Sequence, residues 1–377
     1  MNAPAPDVLA VCPQCAHEFR VPGTLAGRRL PCPHCRRLIE IVASAGGEDK
    51  LVGKVLGGCR LVRRLGSGAL GVVYQAEQVA MSRQVAMKML SSKAAGDPQL
   101  VARFQREAKI CAQIKHPHVV GVFDCGHDRG VHFLTMEFVD GTTLAGVVEE
   151  HGPLPWQQAS KHIRQVAEAL DHVASLDIVH RDIKPANILV SSTGEAKLAD
   201  LGLAKHLAAE GNGDMGLTMQ GVAMGSPAYM APEQVRNARD AGKAADIYSL
   251  GATFYHLLAG VPPFEGRNGT EVMSKVLRDE PRPLTTLAPS APPAIVSLVH
   301  RMLAKDIDER PQDAAELIAE IDAALAAPSQ ARARRGRAKA AAGANRRGGQ
   351  SPTGKVVLLL GGALLAVVLA AIVWSFR

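Results

Sequence analysis

From Ala323 to the end of the 377-residue chain there is no Asp or Glu, against nine Lys and Arg. The formal net charge of +7 less these nine leaves −2 for the rest, so an apparent hint of nucleic-acid binding belongs to a tail. The opening residues MNAPAPDVLA lack both a cationic start and an apolar run, so no cleaved secretory signal is expected. A cytoplasmic folded part follows from that, and with it reduced thiols. Cysteine is sparse: outside two close pairs, Cys59, Cys111 and Cys125 are scattered through apolar or mixed surroundings and read as packing residues. Disorder is excluded by a 47% hydrophobic fraction, and the length suits two or three domains.

Cys12-Pro-Gln-Cys15, sixteen residues, then Cys32-Pro-His-Cys35 has the two-knuckle spacing of a tetrahedral Zn²⁺ site. Four thiolates leave no open coordination position, so the metal is structural, with His17 and His34 as neighbours rather than ligands. So short a segment buries too little apolar surface to fold alone, and metal binding would supply the folding energy. Residues 1–42 resemble the small zinc ribbons at the N-termini of some bacterial regulatory proteins, which bind protein or nucleic acid or cap a domain. A linker is expected over 43–58, with Ala, Gly and Ser at 43–47.

From Cys59 the pattern is β-rich, and Gly66-Ser67-Gly68-Ala69-Leu70-Gly71 forms a glycine loop between two extended runs. A β-branched run after it, Val72-Val73, argues for a hairpin over phosphates rather than a Rossmann turn. Seventeen residues beyond Gly71 stands Lys88 in Val85-Ala86-Met87-Lys88, a cation in want of an anion, and Glu107 on an amphipathic helical pattern is placed to supply it. His132 to Glu137 reads as a strand leading into Phe138-Val139, either an ordinary edge strand or a segment receiving a base through its backbone. Leu154 to Leu176 carries Ile163, Val166, Ala167, Leu170 and Val173 at helical spacing, a core helix. It runs into His180-Arg181-Asp182-Ile183-Lys184-Pro185-Ala186-Asn187. That loop suits phosphoryl transfer: Asp182 can orient a hydroxyl and accept its proton, Lys184 can neutralise the moving group, and Asn187 can ligate Mg²⁺. Asp200, thirteen residues past Asn187, supplies a second metal ligand.

These motifs, with Ala231-Pro232-Glu233, Arg310 and Asp246 opening an apolar helix to Leu258, resemble in kind and order the serine/threonine protein kinases of the bacterial, eukaryotic-like type. The resemblance implies an α+β, two-lobed protein kinase fold over 59–325, with a β-rich small lobe and a helical large lobe ending in a helix Asp313 to Leu325. It implies that ATP and Mg²⁺ (or Mn²⁺) are cofactors and that Gly66, Ser67, Gly68, Gly71, Val73, Ala86, Lys88, Met136, Glu137, Val139, Asn187 and Asp200 contact the nucleotide and its metal. Met136 would gate the back of the pocket, Glu107 would pair with Lys88, Arg310 with Glu233, and Asp246 would brace the catalytic loop. Lys184 and Ser226 point to Ser or Thr as acceptor; the family usually has threonine at 226 and more often phenylalanine at 201, where this chain has Leu201. Thr218, eight residues before Ser226, matches a position that related kinases autophosphorylate, with Arg181 as the cation for that phosphate; pairing of two copies for trans-autophosphorylation is compatible with this.

After a basic linker over 326–355, residues 356–374 are nineteen without a charge, about 28 Å as a helix. They are read as a C-terminal transmembrane helix. The basic flank keeps the kinase cytoplasmic and makes the protein a tail-anchored, single-pass protein of the inner membrane. Protein substrates with Ser or Thr acceptors are the expected partners; a non-catalytic membrane scaffold is the competing class, opposed by Lys88, Asp182, Asn187 and Asp200. Nucleic acid is disfavoured as a partner.

Overall fold

A computed structural model describes residues 8–12, 15, 17–22, 25, 29–35, 37–40, 49–68, 71–201, 227–237 and 240–326. The chain divides into two compact units, Met1–Ile321 and Asp322–Arg377. Thr218, Ser226 and the expected span 356–374 lie outside the described residues; among those described, no helix is long and apolar enough to cross a membrane.

The N-terminal segment is two hairpins, β1 (Val8–Val11) with β2 (Glu18–Val21), and β3 (Arg29–Pro31) with β4 (Leu38–Glu40). Both knuckles close alike: Cys12 N–H donates to the His17 carbonyl at 2.9 Å and Cys32 N–H to the Arg37 carbonyl at 2.8 Å. The core between them is small, with Ala10, Cys12, Val21, Cys32 and Ile39 buried.

The small lobe is a six-stranded antiparallel sheet ordered β5-β6-β7-β8-β10-β9. Its strands are β5 (Val55–Leu56), β6 (Cys59–Gly68), β7 (Gly71–Gln78), β8 (Arg83–Leu90), β9 (Val122–Asp128) and β10 (Val131–Glu137). Part of the expected linker therefore belongs to this lobe: β5 pairs with β6, Leu56 is buried, and Asp49 accepts the Tyr74 hydroxyl at 2.6 Å. One sheet face packs on the helix Pro98–Cys111, which the Asp97 carboxylate caps at Gln99 and Leu100 N–H. Phe104, Ala108 and Cys111 recur on its inner face and are buried, while Glu107 is half-buried beside them.

Below it, the helix Trp156–Ser175 runs through the large lobe with Ile163, Val166, Ala167, Leu170 and Val173 all buried, two residues short of the expected start because Pro155 occupies its N-cap. The helix Lys243–Ala259 starts earlier than Asp246 and is buried almost all round, which makes it the spine of this lobe. A three-stranded sheet, β11 (Gly141–Thr143), β12 (Ile188–Ser191) and β13 (Ala196–Leu198), lies between the lobes' elements and carries the chemistry on its ends. The last helix begins at 314, with Leu317 and Ile321 buried.

Candidate active site

The catalytic-loop residues are held from beneath by Asp246. Its buried carboxylate accepts His180 N–H at 2.7 Å and Arg181 N–H at 2.8 Å, two amides that the turn would otherwise leave without partners. Burial pushes the Asp246 carboxyl up, and those same hydrogen bonds pull it back. Arg181 sits in the left-handed region at φ 65°, where the chain reverses to present Asp182. His180 is fully buried, and burial lowers its pKa, so the ring is neutral. Its Nδ1 accepts the Asp182 N–H at 3.2 Å, which leaves Nε2–H to donate to the Ala199 carbonyl at 3.2 Å.

Asp182 Oδ2 accepts from Lys184 Nζ at 2.9 Å and from Asn187 Nδ2 at 2.9 Å. The carboxylate is thus oriented from two sides, as a base that must meet one hydroxyl requires. Asn187 spends its amide nitrogen there and on the Asp182 carbonyl, 2.8 Å away; its Oδ1 makes no hydrogen bond among the described residues and is the atom available to a hard cation. Asp200, also left-handed at φ 55°, brings a carboxylate to the same region, so the oxygen donors that Mg²⁺ prefers are present.

Lys88 corrects one expectation. Its ammonium lies 2.7 Å from Asp200 Oδ1, and among the described residues this, rather than a pair with Glu107, is its ion pair. Glu107 remains near, since the Cys111 thiol, pushed up to about 12 chiefly by burial, also feels both Glu107 and Asp200.

The glycine loop needs its glycines for two different reasons. A side chain at Gly71 would run into the Met89 carbonyl, because β7 and β8 pair tightly there. At Gly66 and Gly68 a Cβ meets nothing within 4 Å, so the protein itself imposes no glycine and the space above them is what the missing side chains leave open. Ser67 stands between them, opposite Val72. Ala86 and Met136 are buried in one apolar cluster, and Val73 and Val139 pack against it, as does Leu189 of β12, which sequence reasoning did not single out. Its signal was the apolar run Ile188-Leu189-Val190 directly after Asn187. Glu137 donates its N–H to the Gly121 carbonyl at 2.8 Å, so its own carbonyl is what the main chain there can offer a base.

Farther off, Arg310 forms the expected bidentate pair with Glu233, at 2.8 and 2.9 Å, wholly buried. In the N-terminal hairpins, the sulfur atoms of Cys12, Cys15, Cys32 and Cys35 all lie within 4.8 Å of one another, with Cys12 and Cys35 3.6 Å apart and Cys15 and Cys32 3.7 Å apart. A tetrahedral S₄ site with bonds of about 2.3 Å has sulfur edges of about 3.8 Å, so the four fit zinc. His17 and His34 stand apart from the cluster and face Glu149 at 3.5 and 3.9 Å.

The protein kinase domain model matches residues 59–321. The chain is 36% identical over 263 residues to the probable serine/threonine-protein kinase PknB of Lactococcus lactis, which covers 70% of this chain and 41% of that protein. It is 34% identical over 276 residues to the serine/threonine-protein kinase PrkC of Bacillus subtilis, covering 73% of this chain and 42% of that one. The alignments thus span about two fifths of these relatives. The crystal structure of the Mycobacterium tuberculosis PknI kinase domain superposes with a TM-score of 0.57 at 28% identity, covering 72% of this chain and 98% of that one. The bracing of the loop that carries Asp182 and these matches agree, and the chain belongs to the protein kinase family, among bacterial kinases of the serine/threonine type.

Proposed function

We propose that this chain is a membrane-anchored serine/threonine protein kinase that moves the γ-phosphoryl group of MgATP to protein hydroxyls. The observation that carries the reading is the Asp182 carboxylate gripped by Lys184 and Asn187 beside the Lys88–Asp200 pair. When bound, MgATP supplies the phosphoryl group and a cation that shields its charge. Asp182 orients the acceptor hydroxyl and takes its proton, while Lys184 faces the charge that develops during transfer. Lys88 would hold the nucleotide phosphates, and Asn187 with Asp200 would hold the metal. Thr218 is the autophosphorylation site, pairing with the Arg181 guanidinium once modified. Residues 356–374 anchor the chain, and the four cysteines hold one Zn²⁺ that folds the ribbon.

The test is transfer of labelled phosphate from MgATP to a basic protein substrate by the full chain. Asp182→Asn is expected to bind nucleotide normally yet turn over at least about 10³-fold more slowly, and wild type to carry phosphate on the Thr218 peptide by mass spectrometry. Near-normal turnover in the variant would refute the mechanism.

A further inference from the structure

The Glu137 carboxylate is engaged on both oxygens. Oε1 lies 2.8 Å from the Lys197 ammonium, and Oε2 accepts the Gly121 N–H at 3.4 Å. Lys197 is the middle residue of β13, directly opposite Leu189 in the register. Opposed residues of an antiparallel pair project from the same face, so the lysine stem starts beside Leu189 and the apolar cluster it packs against, and its ammonium crosses to the end of β10. Its side chain is only 17% exposed, which limits screening of the pair.

Backbone bonds already strap β13 to the loop before β9: Leu198 N–H donates to the His118 carbonyl at 2.8 Å and Val120 N–H to the Leu198 carbonyl at 2.9 Å. The same loop grips Glu137 through Gly121. Glu137 is also tied to β13 the other way round, since the chain runs from it into β11, which pairs with β12 and through it with β13. The Lys197–Glu137 pair adds a direct side-chain brace between two points otherwise joined through intermediate strands and loops, and such a brace resists shear between them. Three residues beyond Lys197 stands Asp200, whose carboxylate is held from the opposite side by Lys88.

We propose that Lys197 is a positioning residue: its ion pair with Glu137 fixes the strand that delivers Asp200 against the segment that receives the base. This rests on the kinase reading above.

The test uses the full chain with Lys197→Met, Glu137→Gln and Lys197→Arg. Binding of a non-hydrolysable MgATP analogue is measured by calorimetry, turnover is followed across Mg²⁺ concentration, and a thermal melt checks folding. Lys197→Met and Glu137→Gln are expected to weaken nucleotide binding about 3- to 10-fold and to raise the Mg²⁺ needed for half-maximal rate. The rate of Lys197→Met at saturation should change by less than about twofold, and Lys197→Arg, which keeps the cation, should stay near wild type. Wild-type binding in all three variants, or an arginine variant as impaired as the methionine one, overturns the inference alone. Failure of the wild type to bind the analogue overturns it together with the kinase reading.

Discussion

The catalytic loop and the cysteine ribbon are both short polar stretches that cannot hold their own shape, and they are held by opposite means. The loop borrows rigidity from the large lobe: Asp246 and Arg310 reach it and its neighbours from a core rich enough to bury charged groups that are fully hydrogen-bonded. Among its described residues the ribbon has only five buried in its core, three of them not cysteine, so the restraint open to it is the gathered set of four thiols, which a metal would tie together. Buried polar groups can serve as fasteners only where a core exists to receive them.

The sharpest way to break that contrast is Arg310→Leu. It leaves the Glu233 carboxylate buried without its partner, and denaturant unfolding of the kinase domain should lose about 3–5 kcal/mol. A loss under about 1 kcal/mol would mean that apolar packing alone holds this region.

A smaller effect is expected from acid. Burial lowers His256 to about 4, and its Nδ1 lies 2.6 Å from the Tyr229 hydroxyl. Its folded value is below the unfolded one, so the stability it contributes is present above about pH 6.5 and is lost as pH falls toward 4, with about 2 kcal/mol gone at pH 5. The loss of stability between pH 7 and pH 5 should shrink by about 2 kcal/mol in His256→Gln, the other buried histidines keeping their share.

The smallest effect is on the kinase when the ribbon loses its metal. Chelation should abolish the ribbon's own protection from hydrogen exchange while shifting the main unfolding transition by less than about 0.5 kcal/mol. A large shift would make the ribbon a structural part of the kinase and erase the contrast.

What could be read beforehand follows the same division. Asp182, Lys184 and Asn187 were legible because the reaction fixes three side-chain types within one loop, and the two cysteine pairs because zinc fixes both ligand and spacing. The Arg310–Glu233 pair was legible only through family resemblance, since nothing in the intervening residues brings the two together. Lys88 shows what a sequence withholds: it was read as the partner of Glu107, and it lies 2.7 Å from Asp200, a carboxylate 112 residues away that only the fold brings to it. Gly71 was assigned to phosphates, yet the Met89 carbonyl already forbids a side chain there, a neighbour that only strand pairing reveals. Glu137 was singled out for the nucleotide and Lys197 not at all, and nothing pointed to their pairing; their meeting is a product of sheet register and of the loop at Gly121.

The left-handed turns at Arg181 and Asp200 bracket a short hairpin, β12 and β13, whose two ends are tied by Ala199 N–H to the Asn187 carbonyl at 2.9 Å and by His180 to the Ala199 carbonyl. Asp182 and Asp200 are therefore mounted like the jaws of a caliper locked at one setting. A shift of the sheet that carries Lys88 would change its distance to either carboxylate, but not the gauge between the two, which is set within one hairpin.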